Sequence, residues 1–411
     1  MKDITPFKSF TPYSRQSISE EDKTCVLEAL NNPLITQGKI NEAFEKALAN
    51  YAGTKYALSF NSATSALYAL YASLRALELG DLESFYHSLV SKDTNFKTKS
   101  IITTPITFSA TTNMMIACGF KPIFADVTYD GNLDPLKCEE ILKEKALRGE
   151  DDVIAIMSVD YAGNSVNAKA FKELAKKYDI KWLSDSSHSL GARYIESTND
   201  EGIKIGSLAY ASVFSFHALK SITTAEGGAL LSDDPKLYEM AKLIRSHGIT
   251  KKELYHSDQT TLGFNFRLSE INASLGLSQL KKLDSFITKR NELASIYDEA
   301  FKNNPYFYPL KTKGLSSRHL YPILLDPKYH CAKEDIVKRL LELNVGTQVH
   351  YKPLYDFSFF KDYKPKNEHG LLRNAEDFYR ATLSLPLHCN LEKEDIKHIA
   401  SIVLDVFSEF N

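Results

Sequence analysis

Seven short apolar runs separated by stretches of helical period constrain this chain more than any other feature. The runs lie at Tyr56–Phe60, 101–104, 122–125, Val153–Val159, 181–184, 211–216 and Gly228–Ser232. Helical patterns fall between many of them, among others at 64–79, 168–177 and 236–245. Strands that alternate with helices build a largely parallel sheet covered on both faces, so an α/β fold is expected. Two helices should precede the first strand. Ser19 with Asp22 marks one start, and Ile40, Phe44, Leu48 and Tyr51 line a second helix that stops near Gly53.

After about residue 250 the texture changes. Helical patterns at 269–283 and 286–301 lead to a strand-like 320–325, a helix at 333–343 and a last helix from Glu392. The expected organisation is a large domain over 1–250, with an N-terminal arm, and a smaller α+β domain over 251–411. A polar stretch of mixed charge at 78–99 reads as a surface insertion.

A length of 411 residues suits two domains, and 43% hydrophobic with 25% charged residues excludes wholesale disorder. Fifty Lys and Arg against 52 Asp and Glu leave no basic field for nucleic acid. No apolar run approaches the roughly 20 residues that span a bilayer, and the N-terminus, MKDITPFKSFTPYSR, lacks the apolar stretch of a secretion signal. Cys25, Cys118, Cys138, Cys331 and Cys389 are odd in number and never spaced C-x-x-C, which fits reduced thiols. A soluble cytoplasmic protein is expected, with neither nucleic acid nor membrane as partner.

Several chemistries are missing. The chain has no G-x-G-x-x-G, no Walker loop, no H-E-x-x-H or zinc-type cluster and no G-x-S-x-G, so no metal is expected. Asp185-Ser186-Ser187-His188 holds the residue types of a hydrolytic triad, but residues so close in sequence rarely point at one another. The informative stretch is SVFSFHALKSITTAEGG, in which Lys220 sits between an apolar run and a glycine pair. Such a lysine either snorkels to the surface or, desolvated, forms a Schiff base with an aldehyde cofactor. Asp185 follows a candidate strand, where open α/β sheets present residues to a ligand crevice; it either caps the next helix or pairs with a cofactor ring nitrogen. Asn61-Ser62-Ala63-Thr64-Ser65-Ala66-Leu67 opens a helix, either as an ordinary cap or as a phosphate site. Phe108 is either a core residue or a flat ring for stacking.

In order and spacing, this lysine, aspartate, helix start and aromatic ring resemble the DegT/DnrJ/EryC1/StrS sugar aminotransferases. The likeness runs from Leu34-Ile35-Thr36-Gln37-Gly38 to Ser384-Leu385-Pro386-Leu387-His388 and includes VDYAGNS, DSSHSLGA, RSHGI, NFRLSEI, SRHLYPILL and VHYKPLY. It implies a fold-type I architecture, with a three-layer αβα large domain, and pyridoxal 5'-phosphate as cofactor. Lys220 then matches the lysine bonded to the cofactor, Asp185 the partner of the ring nitrogen, and His188 the residue on the ring-hydroxyl side. Ala63, Thr64 and Ser215 match phosphate binders, and Phe108 a stacking ring. Asn265 matches a phosphate ligand supplied by the neighbouring subunit of a homodimer. Tyr13, Thr36, Gln37, Arg318, His319 and Tyr321 fall where the most similar members line the nucleotide-sugar site. Ala63 stands in place of a common Gly, and Ser186-Ser187 in place of a common Ala-Ala.

The implied reaction moves an amino group from L-glutamate to C4 of a UDP-4-keto-6-deoxy-N-acetylhexosamine, in the L-arabino form of pseudaminic acid synthesis. Alternatives are the D-xylo epimer or another nucleotide-linked keto-sugar, a dehydratase, and a non-catalytic nucleotide-sugar-binding protein. Dehydratase relatives carry His where Lys220 stands.

Overall fold

The computed structural model describes residues 4–91, 97–195, 202–364 and 372–411. Its main sheet contains β1 (Tyr56–Phe60), β2 (Ser100–Thr103), β3 (Lys121–Phe124), β4 (Val153–Val159) and β5 (Lys181–Asp185). A short hairpin, β6 (Arg193–Tyr194) and β7 (Ile203–Lys204), precedes the last two strands of that sheet, β8 (Ala211–Ser215) and β9 (Gly228–Ser232). The spatial order is β1-β9-β8-β5-β4-β2-β3. Pairing is parallel from β3 through β8 and antiparallel on both sides of β9, so six strands run one way and β9 runs against them. All seven apolar runs of the sequence are in this sheet.

Alternate residues of each strand feed two cores. On one face Ile156, Trp182, Phe214, Ala229 and Leu231 pack with α2 (Lys39–Ala52), α6 (Pro135–Leu147) and α7 (Ala168–Tyr178). On the other face Leu58, Phe60, Met157, Leu183 and Val213 meet α3 (Ala63–Leu79), α5 (Ala110–Ala117) and α8 (Pro235–Arg245). The result is the expected three-layer αβα arrangement. Local chemistry places the helix ends. Ser19 and Asp22 form a capping box on α1 (Glu20–Leu30), Gly53 closes α2 with φ +79°, and Ser62 Oγ accepts the Ser65 N–H at the start of α3.

The stretch expected as two helices over 269–301 is one helix, α9 (Glu270–Ala300). No Gly or Pro separates the two patterns, and the break in apolar period marks a change of core. Leu280, Leu283 and Ile287 face the sheet core, whereas Leu293, Ala294 and Tyr297 enter a C-terminal core. That second core is closed by the antiparallel β12 (Phe307–Pro309), β13 (Tyr321–Leu325) and β14 (Thr382–Leu385) with α10 (Lys333–Glu342) and α12 (Lys393–Glu409). Phe7 of the N-terminal arm enters it too, and its N–H donates to Leu343 O at 3.0 Å.

The insertion at 78–99 is not mere surface decoration. It forms α4 (Leu82–Val90), whose Leu82 and Phe85 are buried against α3, a contribution of about 1.5–3 kcal/mol for the Phe side chain. Its residues 92–96 lie outside the described residues. A hairpin of β10 (Ile249–Lys251) and β11 (Ser257–Gln259), and α11 (Arg373–Ala381), complete the chain. Among the described residues no helix is long and apolar enough to cross a membrane, and no cluster of His, Cys, Asp or Glu could hold a metal ion.

Candidate active site

The parallel strands all end at one edge of the sheet, so the residues that follow them converge there. Asp185 ends β5 and is paired in register with Val159 on one side and Val213 on the other. Thr111, in the first turn of α5, donates from Oγ1 to Asp185 Oδ2 at 2.7 Å, and the Ser187 N–H donates to Oδ1 at 3.2 Å. The Thr107 hydroxyl lies 2.9 Å from that of Thr111. The buried carboxylate is thereby oriented from both sides. Phe108, between these threonines, is 63% exposed, so it is not a core residue.

Lys220 lies in the turn after β8, where its N–H donates to His217 O at 2.9 Å. Burial lowers its amine to about 8 against the opposing attraction of Asp185. The residue is half-buried, and a lowered amine favours the desolvated alternative over a lysine that snorkels fully to solvent. Three buried histidines surround the amine. Burial and then Lys220 push His188 well below its usual range, and burial, His188 and Lys220 do the same to His319. Burial and Lys220 push His350 down to about 3. His188 and His319 lie ring to ring at 4.4 Å, His188 Nε2 is 3.1 Å from Tyr351 Oη, and His350 Nδ1 is 2.9 Å from Ser384 Oγ. Tyr13 packs edge-on against His350 at 5.0 Å. Lys220 acts on all three histidines and Arg290 on His319, so burial beside cations keeps the cluster neutral, and the lowered Lys220 value puts part of the amine in its unprotonated form around pH 8.

The same edge of the sheet carries a helix start with the chemistry to cradle an anion. Gly228 opens β9 and pairs with Ser215 of β8 on one side and Phe60 of β1 on the other. The start of α3 presses on this glycine so closely that a Cβ would sit 2.4 Å from Ala63 N and 2.6 Å from Ser62 C. Ser62 Oγ takes the Ser65 N–H, which leaves the Ala63 and Thr64 N–H groups directed out of the helix start. Ser215 stands across the glycine from them. Backbone donors, hydroxyls and the positive end of a helix dipole converge, as a phosphate requires. A phosphate-bearing aldehyde with a ring nitrogen fits the chemistry of these groups: anion donors at the start of α3, a carboxylate at Asp185 and an amine at Lys220.

Of the residues expected to line the site, Lys220, Asp185, His188, His319 and Tyr13 are brought together, and Ala63, Thr64 and Ser215 form the cradle. Thr36 and Gln37 are exposed just before α2, where Thr36 bridges Ser269. Arg318 and Tyr321 turn elsewhere: both bond Asp298 of α9, at 3.1 and 2.6 Å. Neither is hydrogen-bonded to Lys220 among the described residues. Asn265 bonds through its backbone O to Asn61 Nδ2 at 3.3 Å, and its side chain is exposed. Sequence reasoning assigned nothing to Thr111, Gly228, His350 or Tyr351. The segment VHYKPLY carried the last two in plain view, but its fold-back onto His188 is a tertiary fact.

Sheet order, strand-end carboxylate and desolvated lysine together are those of the fold-type I pyridoxal phosphate transferases. The chain belongs to the DegT/DnrJ/EryC1/StrS aminotransferase family, whose model matches residues 16–404. It is 45% identical over 400 residues, 97% of this chain and 98% of the relative, to the UDP-4-amino-4,6-dideoxy-N-acetyl-beta-L-altrosamine transaminase of Helicobacter pylori. Among solved structures it resembles Helicobacter pylori PseC, described as an aminotransferase involved in the biosynthesis of pseudoaminic acid. That match has a TM-score of 0.87 and 44% identity, over 98% of this chain and 100% of the other. The PLP-form of a putative sugar aminotransferase, Spr1654 from Streptococcus pneumoniae, superposes with a TM-score of 0.84 at 27% identity, over 98% of this chain and 100% of that one.

Proposed function

We propose that this chain uses pyridoxal phosphate to move an amino group from L-glutamate to C4 of a UDP-4-keto-6-deoxy-N-acetylhexosamine. The substrate we favour is UDP-2-acetamido-2,6-dideoxy-β-L-arabino-hex-4-ulose, of pseudaminic acid synthesis. The single observation that carries the reading is one sheet edge that bears a lysine with its amine lowered to about 8, a strand-end carboxylate and a helix start pressed against Gly228. The choice of sugar follows the Helicobacter pylori relative, which is named for a UDP-linked 4-amino-4,6-dideoxy sugar.

When bound, pyridoxal phosphate supplies an aldehyde that bonds to amines and a ring that accepts an electron pair from the substrate carbon. Ala63, Thr64 and Ser215 would hold its phosphate, Asp185 would keep a proton on the ring nitrogen, and Phe108 would cover a ring face. His188, neutral and buried, would serve the ring hydroxyl through Nδ1, which has no other partner among the described residues. Lys220 Nζ takes the proton from Cα of glutamate and, in the second half of the cycle, delivers a proton to C4 of the sugar. Tyr13 and His319 reach the same space and would meet the sugar. We further propose a homodimer in which the exposed Asn265 side chain of one copy approaches the phosphate of the other, so that two sites are shared by two-fold symmetry. Borohydride reduction of the loaded protein followed by peptide mapping tests the core of this reading. The expected adduct is on Lys220, and an adduct on any other lysine would overturn the assignment.

A further inference from the structure

Asp160 follows β4 and has no part in the site as described so far. Its carboxylate is fully buried. Oδ2 accepts from three hydroxyls, Ser189 Oγ at 2.9 Å, Ser186 Oγ at 3.2 Å and Ser184 Oγ at 3.3 Å, while Oδ1 accepts the Val166 N–H at 3.1 Å. The hydroxyls of Ser184 and Ser186 also lie 3.0 Å apart. Burial pushes Asp160 up to about 6 against these hydrogen bonds, and among the described residues no salt bridge reaches it. An acidic side chain buried without a counter-ion is costly wherever it stands, and its place here lies directly behind Asp185.

The geometry explains what such a group can do. Neighbouring residues of a strand point to opposite faces, so Ser184 and Ser186 reach back to Asp160 while Asp185 faces Thr111 and the site. The grip therefore holds the backbone on both sides of Asp185 without competing for its oxygens. Ser189, the third donor, directly follows His188. The turn that begins at Asp160 grips a second strip. Gly163 O accepts Ser316 Oγ at 2.9 Å and the Ser317 N–H at 3.2 Å, and Ser317 Oγ donates to His188 O at 2.6 Å. Gly163 has φ +89°, and a Cβ there would strike Ser317 Oγ at 2.0 Å. His319 lies two residues further on.

We propose that Asp160 is a positioning residue: its buried carboxylate clamps, through Ser184, Ser186 and Ser189, the segment that aims Asp185 and His188, and its turn clamps the strip that carries His319. The clamp is a property of the cofactor-free chain; its consequence for catalysis rests on the function proposed above.

Asp160→Asn preserves shape but offers one oxygen where the structure uses two. If that oxygen faces the serines, the amide N–H₂ meets the Val166 N–H donor to donor; if it faces Val166, the three hydroxyls lose their acceptor. The double variant Ser184→Ala/Ser186→Ala keeps Asp160 and removes only the grip flanking Asp185. Amide hydrogen exchange is first measured on cofactor-free protein. In Asp160→Asn, protection at Ser186 and Ser187 should fall about tenfold or more, with the C-terminal helix unchanged. With pyridoxal phosphate, kcat should fall about 10–100-fold while KM for the keto-sugar stays within about twofold. The pH midpoint of the visible cofactor band should also move upward, because Asp185 would hold the ring proton less well. The double variant should show the same pattern in smaller measure, and it decides the matter if Asp160→Asn does not fold. Unchanged exchange at 186–189 would overturn the clamp. Altered exchange with an unmoved band and kcat would reduce Asp160 to a structural role and overturn the proposal. Failure of the wild type to bind pyridoxal phosphate would instead sink the proposed function, and the exchange measurement would still judge the clamp.

Discussion

Replacing Gly228 by Ala tests the anion cradle with one methyl group. The new Cβ would lie 2.4 Å from Ala63 N and 2.6 Å from both Ala63 Cα and Ser62 C, where ordinary contacts between such atoms begin near 3.5 Å. Relief therefore requires about 1 Å of separation. Strand β9 cannot supply it, because Gly228 is held in register by Phe60 and Ser215 on its two sides. The start of α3 must move, and it carries the Ala63 and Thr64 donors away from Ser215. Overpacking of this kind costs about 1–3 kcal/mol of stability. A 1 Å displacement of oriented donors should weaken pyridoxal phosphate binding by about 10–100-fold, or about 1.4–2.7 kcal/mol. Titration of cofactor-free protein with pyridoxal phosphate, followed by absorbance, measures the second effect, and thermal unfolding measures the first. Gly131→Ala is the control. It would set a methyl 2.6 Å from the Phe378 ring in a backbone of φ +81°, and should cost stability without touching cofactor affinity. A folded Gly228→Ala protein with wild-type affinity would refute the cradle.

Three further outcomes are expected. Burial lowers Lys220 from 10.5 to about 8, so between those values the folded chain binds fewer protons than the unfolded chain and gains stability as pH rises. Cofactor-free Lys220→Met, the more stable protein below pH 8, should lose up to about 3 kcal/mol of that advantage by pH 10 in urea unfolding; a constant difference would mean that the amine is not desolvated. Asp185→Asn should depress kcat far more than it raises KM, and an unchanged kcat would make Asp185 a structural cap. Mixing inactive Lys220→Ala with inactive Asn265→Asp should restore activity in heterodimers, since one site collects both defects and the other neither. No recovery with heterodimers present would contradict shared sites.

The sheet was legible because its evidence is local. Each of the seven runs carries its own apolar signature, and Ser62, Asp185 and Ser215 sit at run ends where the topology places a crevice. Lys220 was ambiguous alone, since its burial is a tertiary fact: His188, His319 and His350, on which it acts, come from three separate segments. Thr111, Gly228, Asp160 and Tyr351 were not legible as site residues for the same reason: their meaning lies in neighbours 24 or more positions away. Length scale also explains the two misread elements. The few apolar residues of 78–99 are scattered among polar ones, but α3 offers Leu82 and Phe85 a surface. The two patterns over 269–301 looked separate because one helix, α9, serves two cores in turn.

Amination of a particular keto-sugar at C4 is open to test in one incubation. Purified protein with pyridoxal phosphate and L-glutamate is given UDP-2-acetamido-2,6-dideoxy-β-L-arabino-hex-4-ulose or its D-xylo epimer, and products are identified by mass and NMR spectroscopy. The expected result is one 2-oxoglutarate for each 4-amino sugar formed, with the L-arabino substrate preferred and no product from Lys220→Ala. Preference for the D-xylo epimer would contradict the assigned substrate, and 4-amino sugar formed by Lys220→Ala would contradict the mechanism itself.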